Sequence, residues 1–70
     1  MTRKEVVVDL PTDRETVNVR ITVGGADQVN DTVETKMRIA RYTVEGSGVQ
    51  EVVIYLDGSQ ARSYSLDFSA

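Results

Sequence analysis

The segment "VGGADQVNDTVETKMRIARYTVEGSG", residues 23–48, decides the fold, because the sequence on either side of it has the pattern of β-strands. On a helix with 100° per residue, six apolar residues of this segment share one face and most of its charged residues lie opposite. Acidic residues precede basic ones, as a helix dipole favours, and a glycine follows where a helix would end. The pattern predicts a helix over residues 26–45, with a buried face made of Ala26, Val29, Val33, Met37, Ala40 and Val44.

The same segment permits a second interpretation, because its threonines, valines and tyrosine are weak helix formers. In "ETKMRIARYTV", an extended chain would place Val33, Thr35, Met37 and Ile39 on one face. This alternation is interrupted at Arg41, whereas the helical stripe continues without a break. We therefore prefer the helix and keep a strand over residues 33–44 as the alternative.

Two strands are predicted before this segment. "KEVVVDL", residues 4–10, is rich in β-branched residues, and "ETVNVRITV", residues 15–23, alternates apolar and polar side chains. Such alternation is the pattern of a half-buried strand. Because "PTDR" between them has turn chemistry, we expect the two strands to form a hairpin.

Two further strands are predicted after the segment. "VQEVVIYL", residues 49–56, and "ARSYSLDF", residues 61–68, flank "DGSQ". Asp-Gly between two such runs is a strong hairpin signal, since glycine accepts the positive φ of the turn. The residues predicted to face the core are Val52, Ile54, Leu56, Tyr64, Leu66 and Phe68.

These elements predict one α+β domain over residues 1–70, with the order ββαββ and one helix packed on a four-stranded sheet in two layers. The order resembles the β-grasp arrangement of ubiquitin-like domains. The resemblance implies a β-grasp-like fold whose second and third strands lie at the edges of the sheet. If residues 33–44 are a strand instead, the chain becomes an all-β protein, a five-stranded antiparallel barrel.

Composition limits the functions that the chain can have. The 70 residues carry a net charge of −3, with 40% apolar and 27% charged residues, so the overall field repels nucleic acids. No run of 18 apolar residues predicts a membrane span. The basic start "MTRK" is followed by "EVVVDLPTD", which is too short and too acidic for a signal-peptide core. We expect a cytoplasmic protein without a membrane partner.

The side chains needed for common catalytic chemistry are missing. There is no histidine to act as a general base near neutral pH and no cysteine nucleophile. None of the five serines lies in a nucleophile-elbow pattern or beside a predicted base. We therefore expect neither an enzyme nor a protein with a cofactor or metal.

Three apolar side chains are the candidate protein interface. Val7, Val53 and Tyr55 fall on the sheet face opposite the core, where an apolar group can bind a partner. Exposed strand edges can also bind a partner by adding a strand. We predict a small non-catalytic protein-interaction or assembly module that acts through sheet edges or the outer sheet face, including self-association as a homodimer.

The alternative function is nucleic-acid binding through a local basic patch. Lys36, Arg38, Arg41 and Tyr42 form the one cluster of basic and aromatic residues in the chain. Such a cluster can contact a phosphate backbone despite a net negative charge. The competing interpretation is that these cations balance Glu34 and Glu45 on the same predicted helix.

Overall fold

The computed structural model describes all of residues 1–70 as six β-strands and one short 3₁₀ turn. The strands form two antiparallel sheets, one with the order β1-β4 and one with the order β3-β2-β5-β6. No helix of the chain has the length and apolar character needed to cross a membrane. The bounds are β1 Thr2–Asp9, β2 Thr16–Val23, β3 Ala26–Glu34, the 3₁₀ turn Thr35–Met37, β4 Ile39–Gly46, β5 Val49–Leu56 and β6 Ser59–Asp67.

The two sheets pack face to face around a core made almost entirely of valine, leucine and isoleucine. Alternate residues of each strand point inward, as the pleat requires. Phe68, just after β6, is fully buried and closes one end of the core. The buried apolar residues are Val6, Val8, Leu10, Val17, Val19, Ile21, Val23, Val44, Val52, Ile54 and Phe68.

The pairing of the strands alternates between the sheets along the chain. β1 and β4 pair with each other, while the β2–β3 and β5–β6 hairpins join through β2 and β5. β1 therefore has a hydrogen-bonded neighbour on one side only.

The predicted α+β fold is wrong, because residues 26–45 form two strands and no helix. Gly24 and Gly25 have φ values of 59° and 85° and form a two-residue turn between β2 and β3. Positive φ at both central residues is what a type I′ hairpin turn requires, and Gly-Gly supplies it. The glycines therefore turn the chain back on β2 instead of starting a helix.

The helical stripe arose from two strands whose alternation changes phase. In β3 the inward residues include Val29 and Val33, at odd positions, whereas in β4 they are Ala40, Tyr42 and Val44, at even positions. The 3₁₀ turn and Arg38, which has φ of 68°, make up the change of phase. This change of phase explains why the alternation predicted for a single strand over residues 33–44 is interrupted at Arg41.

The other topological predictions have mixed outcomes. The β1–β2 hairpin is wrong, because β1 pairs with β4 in the other sheet, and β2 is a central strand. The five-stranded barrel is also wrong, because six strands form two separate sheets that do not close. The β5–β6 hairpin is confirmed, with Asp57 and Gly58 at positive φ in its turn.

Candidate interaction edges

One side of the sandwich, between β3 and β4, is closed by side chains. Gln28 donates from its Nε2 to the carbonyl oxygen of Glu45 at 2.6 Å, and its Oε1 accepts the Glu45 N–H at 2.8 Å. The amide of Gln28 thus pairs with β4 as a neighbouring strand would. It satisfies backbone groups at an edge that would otherwise be free.

A second contact joins the same two strands. The Tyr42 hydroxyl donates to the Asp31 carboxylate at 3.2 Å, and burial, then the nearby Asp31 charge, raise the pKa of Tyr42. Asp31 lies opposite Val19 in the register, so it is a charged residue on the inward face of an edge strand. Inward-pointing charges of this kind protect a sheet edge from pairing with other chains.

The opposite side of the sandwich, between β1 and β6, is open. Neither strand has a hydrogen-bonded neighbour on this side, and no hydrogen bond or ion pair joins them. A groove of about 150 Å³ runs between them. Five of its seven lining residues are apolar; the full set is Val7, Val8, Asp9, Ile54, Leu56, Ala61 and Arg62.

The backbone of β1 presents unpaired groups to this open side. At one end of the β1–β4 pair, the Leu10 N–H donates to the carbonyl oxygen of Arg38 at 2.8 Å. At the other end, Glu45 lies opposite Arg3, and its N–H and C=O bond to Gln28 and point away from β1. Neighbouring residues in an antiparallel pair direct their backbone groups to opposite sides. The N–H and C=O groups that face the open side are therefore those of Arg3, Glu5, Val7 and Asp9.

Two observations show how β1 and β6 are aligned along the open side. Val8 and Arg62 line the same groove, and the Lys4 charge contributes to the lowered pKa of Asp67, after the hydrogen bonds from Ser69. The start of β1 therefore lies near the end of β6, and the strands run in opposite directions. A third strand beside β1 would lie over the groove that β5 and β6 line.

The inward face of β6 is only partly covered. Tyr64 and Leu66 pack against the core and are half-buried, and the Arg62 guanidinium lies 4.7 Å from the centre of the Tyr64 ring. The two-stranded sheet cannot cover all four strands below it, because β4 is drawn toward β3. The uncovered strip of β6 is the consequence.

The predicted interface residues lie on two different surfaces. Val7 is on the outer face of the two-stranded sheet, 38% exposed. Val53 and Tyr55 alternate with buried residues of β5, so they are on the outer face of the four-stranded sheet, where Arg20 stacks 3.9 Å from the centre of the Tyr55 ring. The structure brings Val53 and Tyr55 together and separates both from Val7.

The four residues of the predicted basic patch do not form one surface. Lys36 pairs with Glu34 at 3.3 Å and Arg41 with Glu5 at 3.4 Å. Tyr42 faces inward, whereas Arg41, next to it in β4, faces outward. Arg38 has no ion pair and lies with Lys36 beside an open polar depression that Glu15 and Glu34 also line.

Sequence reasoning missed the features that distinguish the two sides of the sandwich. No local sequence pattern indicated the role of Gln28, because its contact with Glu45 depends on how β3 and β4 pack. The Gly-Gly pair between two alternating runs was a hairpin signal, and it would have identified β3. The run Val6-Val7-Val8 already marked β1 as an apolar strand.

Comparisons with protein-family models, with curated proteins and with solved structures each find no match to this chain.

Proposed function

We propose that the protein is a non-catalytic interaction module that binds an extended segment of another chain as an additional strand beside β1. The observation that carries the proposal is the contrast between its two sides. One side is closed by Gln28 and Tyr42, while the other has an unpaired backbone edge next to an apolar groove. Strand addition needs this combination, because main-chain hydrogen bonds give affinity and pockets for alternate side chains give specificity.

Of the four strand edges, β1 supports the proposal best. The β3 edge carries Asp27, Asp31 and Glu34, and acidic side chains discourage pairing. The free groups of β4 are partly taken by Gln28. The β6 edge borders the same groove but has a register shift opposite Ile54 and Tyr55, and such irregularities interrupt pairing. In β1 the register with β4 is regular over its whole length.

The outer faces offer less to a partner than this edge does. Tyr55 is stacked by Arg20, which in turn forms an ion pair with Asp27 at 2.9 Å. Val7 belongs to both surfaces, since its side chain is on the outer face and its backbone N–H and C=O face the groove. The basic patch gives the nucleic-acid alternative little support, because Lys36 and Arg41 are each paired with a carboxylate.

The test uses a capped peptide of about nine residues in which threonine alternates with valine, a pattern that suits a half-buried strand. We expect millimolar peptide to slow amide hydrogen exchange at Arg3, Glu5, Val7 and Asp9. The amides of Val6 and Val8, which already face β4, should change little. If the four outward amides exchange at the same rate with and without peptide, the proposal is overturned.

A matched pair of variants separates the β1 edge from a general effect of proline. Val7→Pro removes an outward N–H of β1, and Thr43→Pro removes an outward N–H of β4 on the closed side. We expect the first to abolish peptide binding and the second to retain it, since proline is tolerated where the N–H is not in the ladder. If Val7→Pro does not fold, a synthetic chain with an N-methylated Val7 makes the same test, and unchanged binding by either chain would refute the edge.

A further inference from the structure

We propose, on the basis of the function proposed above, that the bound strand carries a carboxylate side chain on its inward face, opposite Val8 and next to Arg62. This makes the ligand an extended acidic-apolar segment, with an acidic residue at one inward position and apolar residues at the next ones. The partner class follows from the unpaired charges of the open side and from the apolar lining between them.

Three cations of the protein form no ion pair, and one of them lines the groove on the open side. Five of the eight Lys and Arg residues pair with a carboxylate within 4 Å, although the net charge is −3. The three unpaired ones are Lys4, Arg38 and Arg62. Two of them, Lys4 and Arg62, belong to the open side, and Lys4 lies close enough to Asp67 to lower the pKa of that carboxyl.

Arg62 is therefore the cation of the groove that lacks an acidic partner. Its register places it opposite Ile54, on the inward face of β6, and it lines the groove with Val8, Leu56 and Ala61. Asp9 is also at the groove but forms no ion pair with it. A strand beside β1 would direct its residue opposite Val8 toward the guanidinium, since opposite residues in a pair share a face.

The neighbouring inward positions favour apolar side chains. The residue opposite Val6 would point toward the sandwich interior, where Val6 is part of the core and Tyr64 packs against it. Val6 itself is 1% exposed and belongs to the core. Burial of an isopropyl group there removes apolar surface from water, which favours binding by valine or isoleucine.

A second copy of the protein does not fit as the occupant. Because β4 is fixed at the β3 edge, the four-stranded sheet extends beyond β1 on the open side. A two-fold pairing of β1 with β1 would bring β5 and β6 of both copies into the same space. A single extended segment meets no such obstacle.

The experiment compares three peptides that differ only at the residue opposite Val8, which is Glu, Gln or Lys. We expect the Glu peptide to bind the wild-type protein about 1.4- to fivefold more tightly than the Gln peptide, and the Lys peptide more weakly still, since a partly exposed ion pair contributes about 0.2–1 kcal/mol. Arg62→Glu should reverse this order. Arg38→Gln, which removes another unpaired cation away from the groove, should leave it unchanged.

The outcomes distinguish the two proposals. Equal binding of all three peptides, with slowed exchange at the β1 amides, would overturn the carboxylate inference and leave strand addition standing. An order that persists in Arg62→Gln would also overturn it. No binding by any of the three peptides would refute strand addition itself.

Discussion

At the scale of single residues, the end of the core depends on the fit between Phe68 and Gly46. Phe68 is fully buried, and a Cβ built on Gly46 would lie 2.8 Å from its ring carbon Cδ1. Such a separation is shorter than van der Waals contact allows, so no side chain fits without movement of the ring. Gly46 is thus required by packing, not by its backbone conformation.

Gly46→Ala should lower the free energy of unfolding by about 1–3 kcal/mol, the usual cost of overpacking a core. Urea denaturation measures the change. Phe68→Leu in the same background makes room for the added methyl group, so the double variant should lose less than the sum of the two single variants. Additive losses would show that the two residues do not contact each other as described.

A second residue-scale feature connects the β5–β6 turn to β2. The Asp57 carboxylate accepts the Asn18 N–H at 2.9 Å and a guanidinium N–H of Arg14 at 2.7 Å. The backbone hydrogen bond from Asn18 lowers the pKa of Asp57 below its ordinary 3.8, and Arg14 adds to the effect. A carboxyl with a lower pKa in the folded state stabilises the fold above its unfolded pKa, and this stabilisation is lost as the pH falls through the folded pKa.

We expect Asp57→Asn to weaken the acid dependence of stability. Asparagine keeps an oxygen for the Asn18 N–H and accepts the positive φ of 49° at this position, but it does not titrate. The decrease in the free energy of unfolding between about pH 5 and pH 2 should be smaller in the variant than in the wild type. Identical pH profiles would show that Asp57 does not contribute to acid unfolding.

At the scale of elements, Gln28 makes two of the hydrogen bonds that hold β3 to β4. Gln28→Ala removes both hydrogen bonds to Glu45 and should cost about 1 kcal/mol, because a net intramolecular hydrogen bond contributes about 0.5–1.5 kcal/mol. The amide of Glu45 should exchange its hydrogen faster. Gln60→Ala, at an exposed position of β6 whose side chain makes no hydrogen bond, is the control. Equal effects of both variants would contradict the role given to Gln28.

The sequence allowed the strands to be predicted where a single alternating run was bounded by a clear turn. The alternation of β2 and the Asp-Gly turn after β5 are such cases, and both are confirmed. Residues 26–45 were predicted wrongly because β3 and β4 differ in phase, so that their inward residues fell on one helical stripe. The acidic β3 followed by basic residues of the turn and β4 then imitated the charge order of a helix.

The candidate site was less predictable than the strands. Which edges are closed depends on contacts between distant residues, such as Gln28 with Glu45, that no local pattern encodes. Sheet edges were predicted as binding surfaces, but the strands assigned to them followed the β-grasp resemblance, which the fold does not share. Val7 was selected for its outward side chain, whereas in the proposed function its backbone N–H and C=O bind the partner.

At the scale of the whole molecule, the central feature is a sandwich with unequal sides. Two strands cannot cover four, and because β4 is fixed to β3, the deficit falls between β1 and β6. An unpaired edge next to an apolar groove is unfavourable in isolation, because exposed edges invite pairing with other chains. The same feature is what an added strand would satisfy, so the architecture and the proposed function have one physical origin.

Amide hydrogen exchange across β1, measured by NMR on the free protein, tests this claim most directly. We predict fast exchange at Arg3, Glu5, Val7 and Asp9, slow exchange at Val6 and Val8 between them, and protection of the Glu45 amide on the closed side. Uniformly slow exchange along β1 would mean that its outer edge is already paired, which would contradict the account.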